Sequence, residues 1–190
     1  KNTCITVTGT NGKSTTCQLL YEVFKSQKID VKLVGNIGYP ILSSKKISSK
    51  TIFIIEASSY QLDYSKIFNS KYAAILNLSS DHIERHKTLK NYIFAKFKLL
   101  KSQLKKSTAF INKYDPLIQK NIRSNRYKSK IIQVNTKLKN SFLVDLKNDY
   151  FLSNSNQENL SFVLEISKKF KINKNKILNT IRRFKGLKYR

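Results

Sequence analysis

The stretch CITVTGTNGKST, residues 4–15, decides the fold. Its first five residues are short, β-branched and terminated by Gly9, the signature of a central strand. A tight loop follows. Lys13 and Ser14 then open a segment in which Leu19, Leu20, Val23 and Phe24 recur at helical spacing. A strand, a glycine-bearing loop and a helix start in that order make an anion cradle. Backbone N–H groups point at the anion, and the helix N-terminus adds about half a positive charge. In such a loop Lys13 would reach terminal phosphates and Ser14 would hold Mg²⁺ through its hydroxyl. The candidate nucleotide site is therefore Gly9, Thr10, Asn11, Gly12, Lys13, Ser14 and Thr15. The longer phosphate-loop pattern asks for a glycine where this chain has Val7, so the chain carries a shorter GxxGKS form with the same mechanics.

Outward from this loop, residues 31–34, 51–56, 72–78, 108–112 and 130–134 read as further strands. Helices are predicted over 14–25, over 89–104, after Asp115-Pro116, and over 156–170 and 173–184. Residues 140–152 predict a β-hairpin turning at Lys147-Asn148-Asp149, because apolar residues flank that polar trio. Strands alternating with helices predict an α/β fold: a mostly parallel P-loop-type sheet, helices on both faces, and a small β-hairpin addition.

A chain of 190 residues is about one domain, and 40% hydrophobic residues suffice for a core. The formal charge of +26 raises nucleic-acid binding as a class. The excess is almost all lysine spread evenly along the chain; only Arg85, Arg123, Arg126, Arg182, Arg183 and Arg190 supply guanidinium, and no nucleic-acid-binding motif occurs. Solvated surface lysines account for the charge, and no nucleic-acid partner is expected. No apolar run approaches the roughly 20 residues of a membrane span, and no signal peptide opens the chain, so a cytoplasmic protein with no membrane partner is expected; a monomer is expected as well. Cys4 and Cys17 are too few for a disulfide framework and are read as core thiols. The chain lacks Met and its first residues run straight into a strand, the pattern of a domain cut from a longer protein.

The other strands also end in polar chemistry. Residues 51–55 run into Glu56, and in an open parallel sheet ligands sit beyond the carboxyl ends of the strands. A carboxylate there can complete the oxygen shell of a phosphate-bound Mg²⁺. The strand at 72–78 leads to Asp81 and His82, one of two histidines; His86 has the weaker functional claim.

Five motifs then occur in order: GTNGKST (9–15), GNIGYP (35–40), EASSYQL (56–62), LNLSSDHIERH (76–86) and NYIFAK (91–96). Together they resemble the central domain of the Mur ligase family over nearly the whole chain, and GNIG.P with E.SS.QL is similar to the branch that adds D-glutamate. The resemblance implies an ATP-dependent amide ligase of peptidoglycan precursor synthesis, acting on UDP-N-acetylmuramoyl-L-alanine and D-glutamate with ATP and two Mg²⁺ ions. It implies that Lys13 and its loop bind the ATP phosphates, and that Ser14 and Glu56 hold the first Mg²⁺. His82 would serve the second, bridged by Lys96 once that residue is carbamylated. Asn36 and Ser58 would face the muramoyl substrate, and Asn156, Asn159 and Arg190 the nucleotide. Composition alone makes Lys96 one solvated lysine among many.

Ser153 and Ser155 replace the family's Gly and His before the asparagine pair, and Tyr189 replaces a His before the final Arg. On this reading a UDP-binding N-terminal domain and a C-terminal domain lie outside residues 1–190, and the piece alone is expected to be inactive. A sister ligase with another amino acid, or a non-catalytic nucleotide-binding remnant, are the alternatives.

Overall fold

The structure, a computed structural model, describes residues 2–38, 40, 46–66 and 68–187. Six strands form one all-parallel sheet in the order β2-β3-β1-β4-β5-β6: β1 Thr3–Thr8, β2 Val31–Gly35, β3 Ile52–Glu56, β4 Tyr72–Ile75, β5 Thr108–Asn112 and β6 Lys130–Val134. From β1 the chain builds outward to β2 and returns through β3. It then crosses to lay β4, β5 and β6 on the other side. The C-terminal end of β1 is thus the switch point where the order reverses, the place where open α/β sheets bind ligands.

Period-two alternation sends side chains into two layers. Ile5, Val7, Ala74 and Phe110 join one core under α1 (Lys13–Ser26), α7 (Asn154–Lys169) and α8 (Lys174–Arg182). Ala73, Ile75, Ala109 and Ile111 face the other, with Tyr92, Phe97 and Leu100 of α4 (Leu89–Lys101). Helices therefore cover both faces, as a parallel sheet requires. Their starts are locally encoded. Thr88 accepts the Asn91 N–H (3.1 Å) ahead of α4, and Asp115 accepts the Ile118 N–H (2.9 Å) with Pro116 leading α5 (Pro116–Ser124).

The predicted hairpin is absent. Residues 140–152 form α6 (Asn140–Leu146), a left-handed Lys147 and a 3-10 turn at Asp149–Phe151. Phe142 and Leu146 lie four apart, a helical spacing, and with Phe151 they pack into the core. Asn148 caps the Tyr150 N–H (3.0 Å) and donates its amide to the carbonyls of Ile181 (2.7 Å) and Phe184 (2.9 Å), so its side chain ties the segment to the end of α8. Two short helices went unforeseen, α2 (Ser59–Tyr64) and α3 (Ile83–His86). Cys17 is buried, Cys4 half-buried, and neither forms a disulfide. Among the described residues no helix is long and apolar enough to cross a membrane.

Candidate active site

The loop between β1 and α1 is fastened from three sides. Asn77, just past β4, accepts the Thr10 N–H on its carbonyl (2.9 Å) and the Asn11 N–H on Oδ1 (2.8 Å). Thr10 Oγ1 lies 3.0 Å from the Tyr92 hydroxyl of α4 and accepts the Ser79 N–H (3.0 Å). Asn159 of α7 packs on Gly12, which opens α1 in a left-handed conformation (φ 79°). The Lys13 ammonium folds over the loop, donating to the carbonyls of Gly9 (3.1 Å) and Thr10 (2.8 Å), and Ser14 is buried beside it.

Gly12 is intolerant of any side chain. A Cβ there would stand 2.0 Å from Asn159 Oδ1, and the left-handed backbone alone costs an L-residue about 1–2 kcal/mol. Gly12→Ala is expected to lower unfolding stability in denaturant by at least that amount. It should also weaken nucleotide binding about tenfold, a further 1.4 kcal/mol, by forcing Asn159 and the loop apart. Unchanged nucleotide affinity in a titration would show that the contact is slack.

Parallel register sets Glu56 at the end of β3, opposite Val7 of β1 and Gly35 of β2. Gly35 has φ 108° and no room for a Cβ, which would lie 2.3 Å from the Glu56 carbonyl oxygen. Glu56 is 1% exposed. Its Oε1 accepts the Asn36 amide (3.0 Å), while its buried Oε2 has no hydrogen-bond partner. A buried carboxylate oxygen without a donor is costly, and a cation would satisfy it. The Glu56 charge also reaches Cys17 on α1, where burial pushes the thiol pKa up, Glu56 adds to the rise and Lys13 opposes it.

Lys96 is the largest departure from its surroundings in sequence. In a lysine-rich helix it is 2% exposed, and its ammonium donates to the Gly9 carbonyl (2.8 Å) and approaches Thr8 Oγ1 (3.4 Å) over the Tyr92 ring. Burial first, then the Lys13 charge, bring its pKa from 10.5 down to about 7, with Asp81 opposing. The neutral amine is thus well populated near neutral pH.

His82 begins α3 in a left-handed conformation, its Nε2 3.4 Å from Asp81 Oδ2. Four residues on, His86 is buried against Ser59, and burial leads the lowering of its pKa. Ser58 is occupied as the N-cap of α2, its hydroxyl accepting the Gln61 N–H (3.2 Å) and its own N–H donating to Gln61 Oε1 (2.9 Å). Asn156 donates to the Tyr150 carbonyl (2.7 Å), while Asn159 meets the loop directly. Arg190 lies outside the described residues. The structure thus gathers Lys13, Ser14, Glu56, Lys96 and Asn159 around the end of β1, with Asn36 held against Glu56.

Sequence reasoning gave no role to Tyr92, Asn77 or Glu158. Tyr92 and Lys96 lie four apart on one helix face, a phase visible in the sequence. Glu158 touches the Asn77 side chain; burial raises its pKa, that hydrogen bond opposes the rise and Asp115 adds to it. Only the fold brings these two residues together.

Among the described residues no three His, Cys, Asp or Glu side chains cluster as a metal cage. Mg²⁺ does not need one, since it is commonly held by one or two protein oxygens plus phosphates and water.

Comparison with known proteins accords with this geometry. A family profile described as the Mur ligase middle domain matches residues 7–178. A UDP-N-acetylmuramoylalanine--D-glutamate ligase from Rickettsia felis is 46% identical over 108 residues, 57% of this chain and 24% of that protein. One from Caldicellulosiruptor bescii is 32% identical over a 206-residue alignment, 98% of this chain and 45% of that protein. The chain thus spans less than half the length of these relatives. The crystal structure of MurF ligase from Thermotoga maritima in complex with ADP shares the fold at TM-score 0.75 and 18% identity, covering 98% of this chain and 49% of that one. With its profile match over residues 7–178, this chain belongs to the Mur ligase family as its middle domain.

Proposed function

We propose that this chain is the ATP-binding part of a ligase that joins D-glutamate to UDP-N-acetylmuramoyl-L-alanine in peptidoglycan precursor synthesis. The substrate pair follows the names of relatives that align over 98% of the chain. The observation that carries the nucleotide half is the partnerless Oε2 of buried Glu56, beside a phosphate loop whose Lys13 and Ser14 stand at a helix start.

In this reading the loop from Gly9 to Thr15 cradles the phosphates, with Lys13 over the terminal ones. Ser14 and Glu56 would hold one Mg²⁺, and His82 with carbamylated Lys96 would hold a second. Bound there, the ions would supply charge neutralisation at the phosphate oxygens. The L-alanyl carboxylate attacks the γ-phosphorus and ADP leaves, giving an acyl phosphate. The D-glutamate amine then adds to the acyl carbon, and the tetrahedral intermediate expels phosphate. The chain's own residues contribute positioning and charge: loop N–H groups and Lys13 hold the phosphates in line. Asn36 and Ser58 would face the muramoyl substrate; Asn156 and Asn159 would serve the nucleotide, and the family resemblance gives Arg190 a nucleotide role as well. Asn36 also orients Glu56 through its amide.

Carbamylation of Lys96 fits its setting. The neutral amine nitrogen adds to the carbon of CO₂ and loses a proton to water, turning a neutral group into an anion. A pKa of about 7 supplies that neutral amine where an ordinary lysine would be protonated.

The test is phosphate release from ATP by the complete protein with UDP-N-acetylmuramoyl-L-alanine, offering D-glutamate, L-glutamate, L-alanine and a diamino acid in turn. Release with D-glutamate alone is expected. Release with another amino acid moves the protein to a sister activity, and none with any of them, despite Mg-ATP binding, leaves a nucleotide-binding remnant.

A further inference from the structure

The ring of Tyr60, on α2, stands between the chain's two histidines. Its centroid is 5.0 Å from the His82 ring, tilted by 52°, and 5.4 Å from the His86 ring, almost parallel at 6°. The Arg85 guanidinium lies 5.0 Å over the same ring.

His82 needs such support. It sits at φ 52° and ψ 34°, a left-handed conformation that non-glycine residues hold at a cost and that persists when surroundings over-determine it. The four-residue α3 it begins is too short to be stable by its own hydrogen bonds. The far end of that turn is pinned. His86 is 7% exposed, its Nε2 is 3.0 Å from Ser59 Oγ, its carbonyl accepts the Asn91 amide (2.9 Å), and its ring meets the edge of Tyr92 at 5.4 Å. Ser59 and Tyr60 are neighbours at the start of α2, which the Ser58–Gln61 capping box fixes directly after Glu56. The metal-side carboxylate, the capped helix and the histidine turn are thereby locked as one unit, with the aromatic face as the contact to His82.

We propose that Tyr60 is a positioning residue for His82: its ring face, anchored through His86 and Ser59, sets the orientation in which the His82 imidazole is presented. The consequence for metal binding rests on the reading of His82 as a ligand of the second Mg²⁺. The stacking contacts use the ring, so phenylalanine should substitute and an aliphatic residue of similar bulk should not.

The experiment uses the complete protein with ¹³C-labelled histidine, comparing Tyr60→Phe, Tyr60→Leu and Tyr60→Ala, with His82→Ala to identify the His82 signals. In wild type those signals carry the ring-current displacement of an imidazole held 5.0 Å from an aromatic ring and tilted against it. Tyr60→Leu and Tyr60→Ala are expected to return them toward free-histidine positions. The same variants should raise the Mg²⁺ concentration for half-maximal turnover about tenfold, the lower end for residues that orient a metal ligand. KM for ATP should change less than twofold, and Tyr60→Phe should match wild type in every readout. His82 signals that stay in place in Tyr60→Leu, or a Tyr60→Phe variant as impaired as Tyr60→Leu, would overturn the proposal. Should His82→Ala leave the Mg²⁺ dependence unchanged, the metal reading of His82 falls, and the histidine spectra alone decide whether Tyr60 positions it.

Discussion

Lys13→Ala in the complete protein should lower turnover of ATP by about 10³-fold or more, the scale expected when a charge that stabilises phosphoryl transfer is removed. Lys13 is the first residue of α1, and its ammonium lies on the carbonyls of Gly9 and Thr10, within the loop it would serve. The loop has other fastenings. Thr10 and Asn11 stay fastened to Asn77, and Thr10 to Tyr92, so the unfolding transition should move little. A second readout separates loss of chemistry from loss of shape. The Lys13 charge is the second cause holding the Lys96 pKa down, after burial, so removing it should let that pKa rise. Steady-state phosphate release and a titration of the Lys96 amine by NMR check both. A variant that keeps turnover within tenfold of wild type would take the loop out of the reaction, whatever its resemblance.

The parallel sheet was legible because each strand is a β-branched run that ends abruptly: Gly9 after β1, Gly35 closing β2, Glu56 closing β3. Such runs need no long-range information to be seen. Register does. That Glu56 stands level with Val7 and Gly35 follows from pairing across tens of residues, and this pairing brings the carboxylate to the phosphate loop. The segment at 140–152 misled because its polar centre resembles a turn, whereas the i,i+4 pair Phe142 and Leu146 carries the helical period. Ser58 shows the reverse case. Its capping box with Gln61 is a local pattern that was open to reading, and it gives the hydroxyl a structural task beside any substrate contact. Lys96 was hidden by its neighbours, since a lysine-rich helix hides the one lysine that points inward; only its phase with Tyr92 and Leu99 betrays it.

Lys96→Met should make the protein more stable and far less active, with the stability gain depending on pH. Lys96 is 2% exposed and its pKa is lowered from 10.5 to about 7, so the fold carries a lysine whose charged form it disfavours. At pH 6 the ammonium is present in folded and unfolded chains alike, and folding buries the charge at full cost. Between about pH 7 and 10.5 the folded chain releases the proton and the unfolded chain keeps it, so wild-type stability rises with pH across that window. Methionine has a similar length and no charge. It forgoes the bond to the Gly9 carbonyl, which still accepts from Lys13 at 3.1 Å. The variant should therefore gain on the order of a few kcal/mol over wild type at pH 6, and less at pH 9. Denaturant unfolding at the two pH values in CO₂-free buffer measures this. A variant less stable at both would make Lys96 a structural donor. Turnover should fall by at least about 10²-fold if the residue acts on the phosphates or a metal. Wild-type turnover, but not the remnant activity of the variant, should drop in CO₂-free buffer and recover with bicarbonate. A stability gain on this substitution would show that the fold keeps the buried lysine at a cost, as expected of a residue retained for chemistry at the amine beside Thr8 and Gly9.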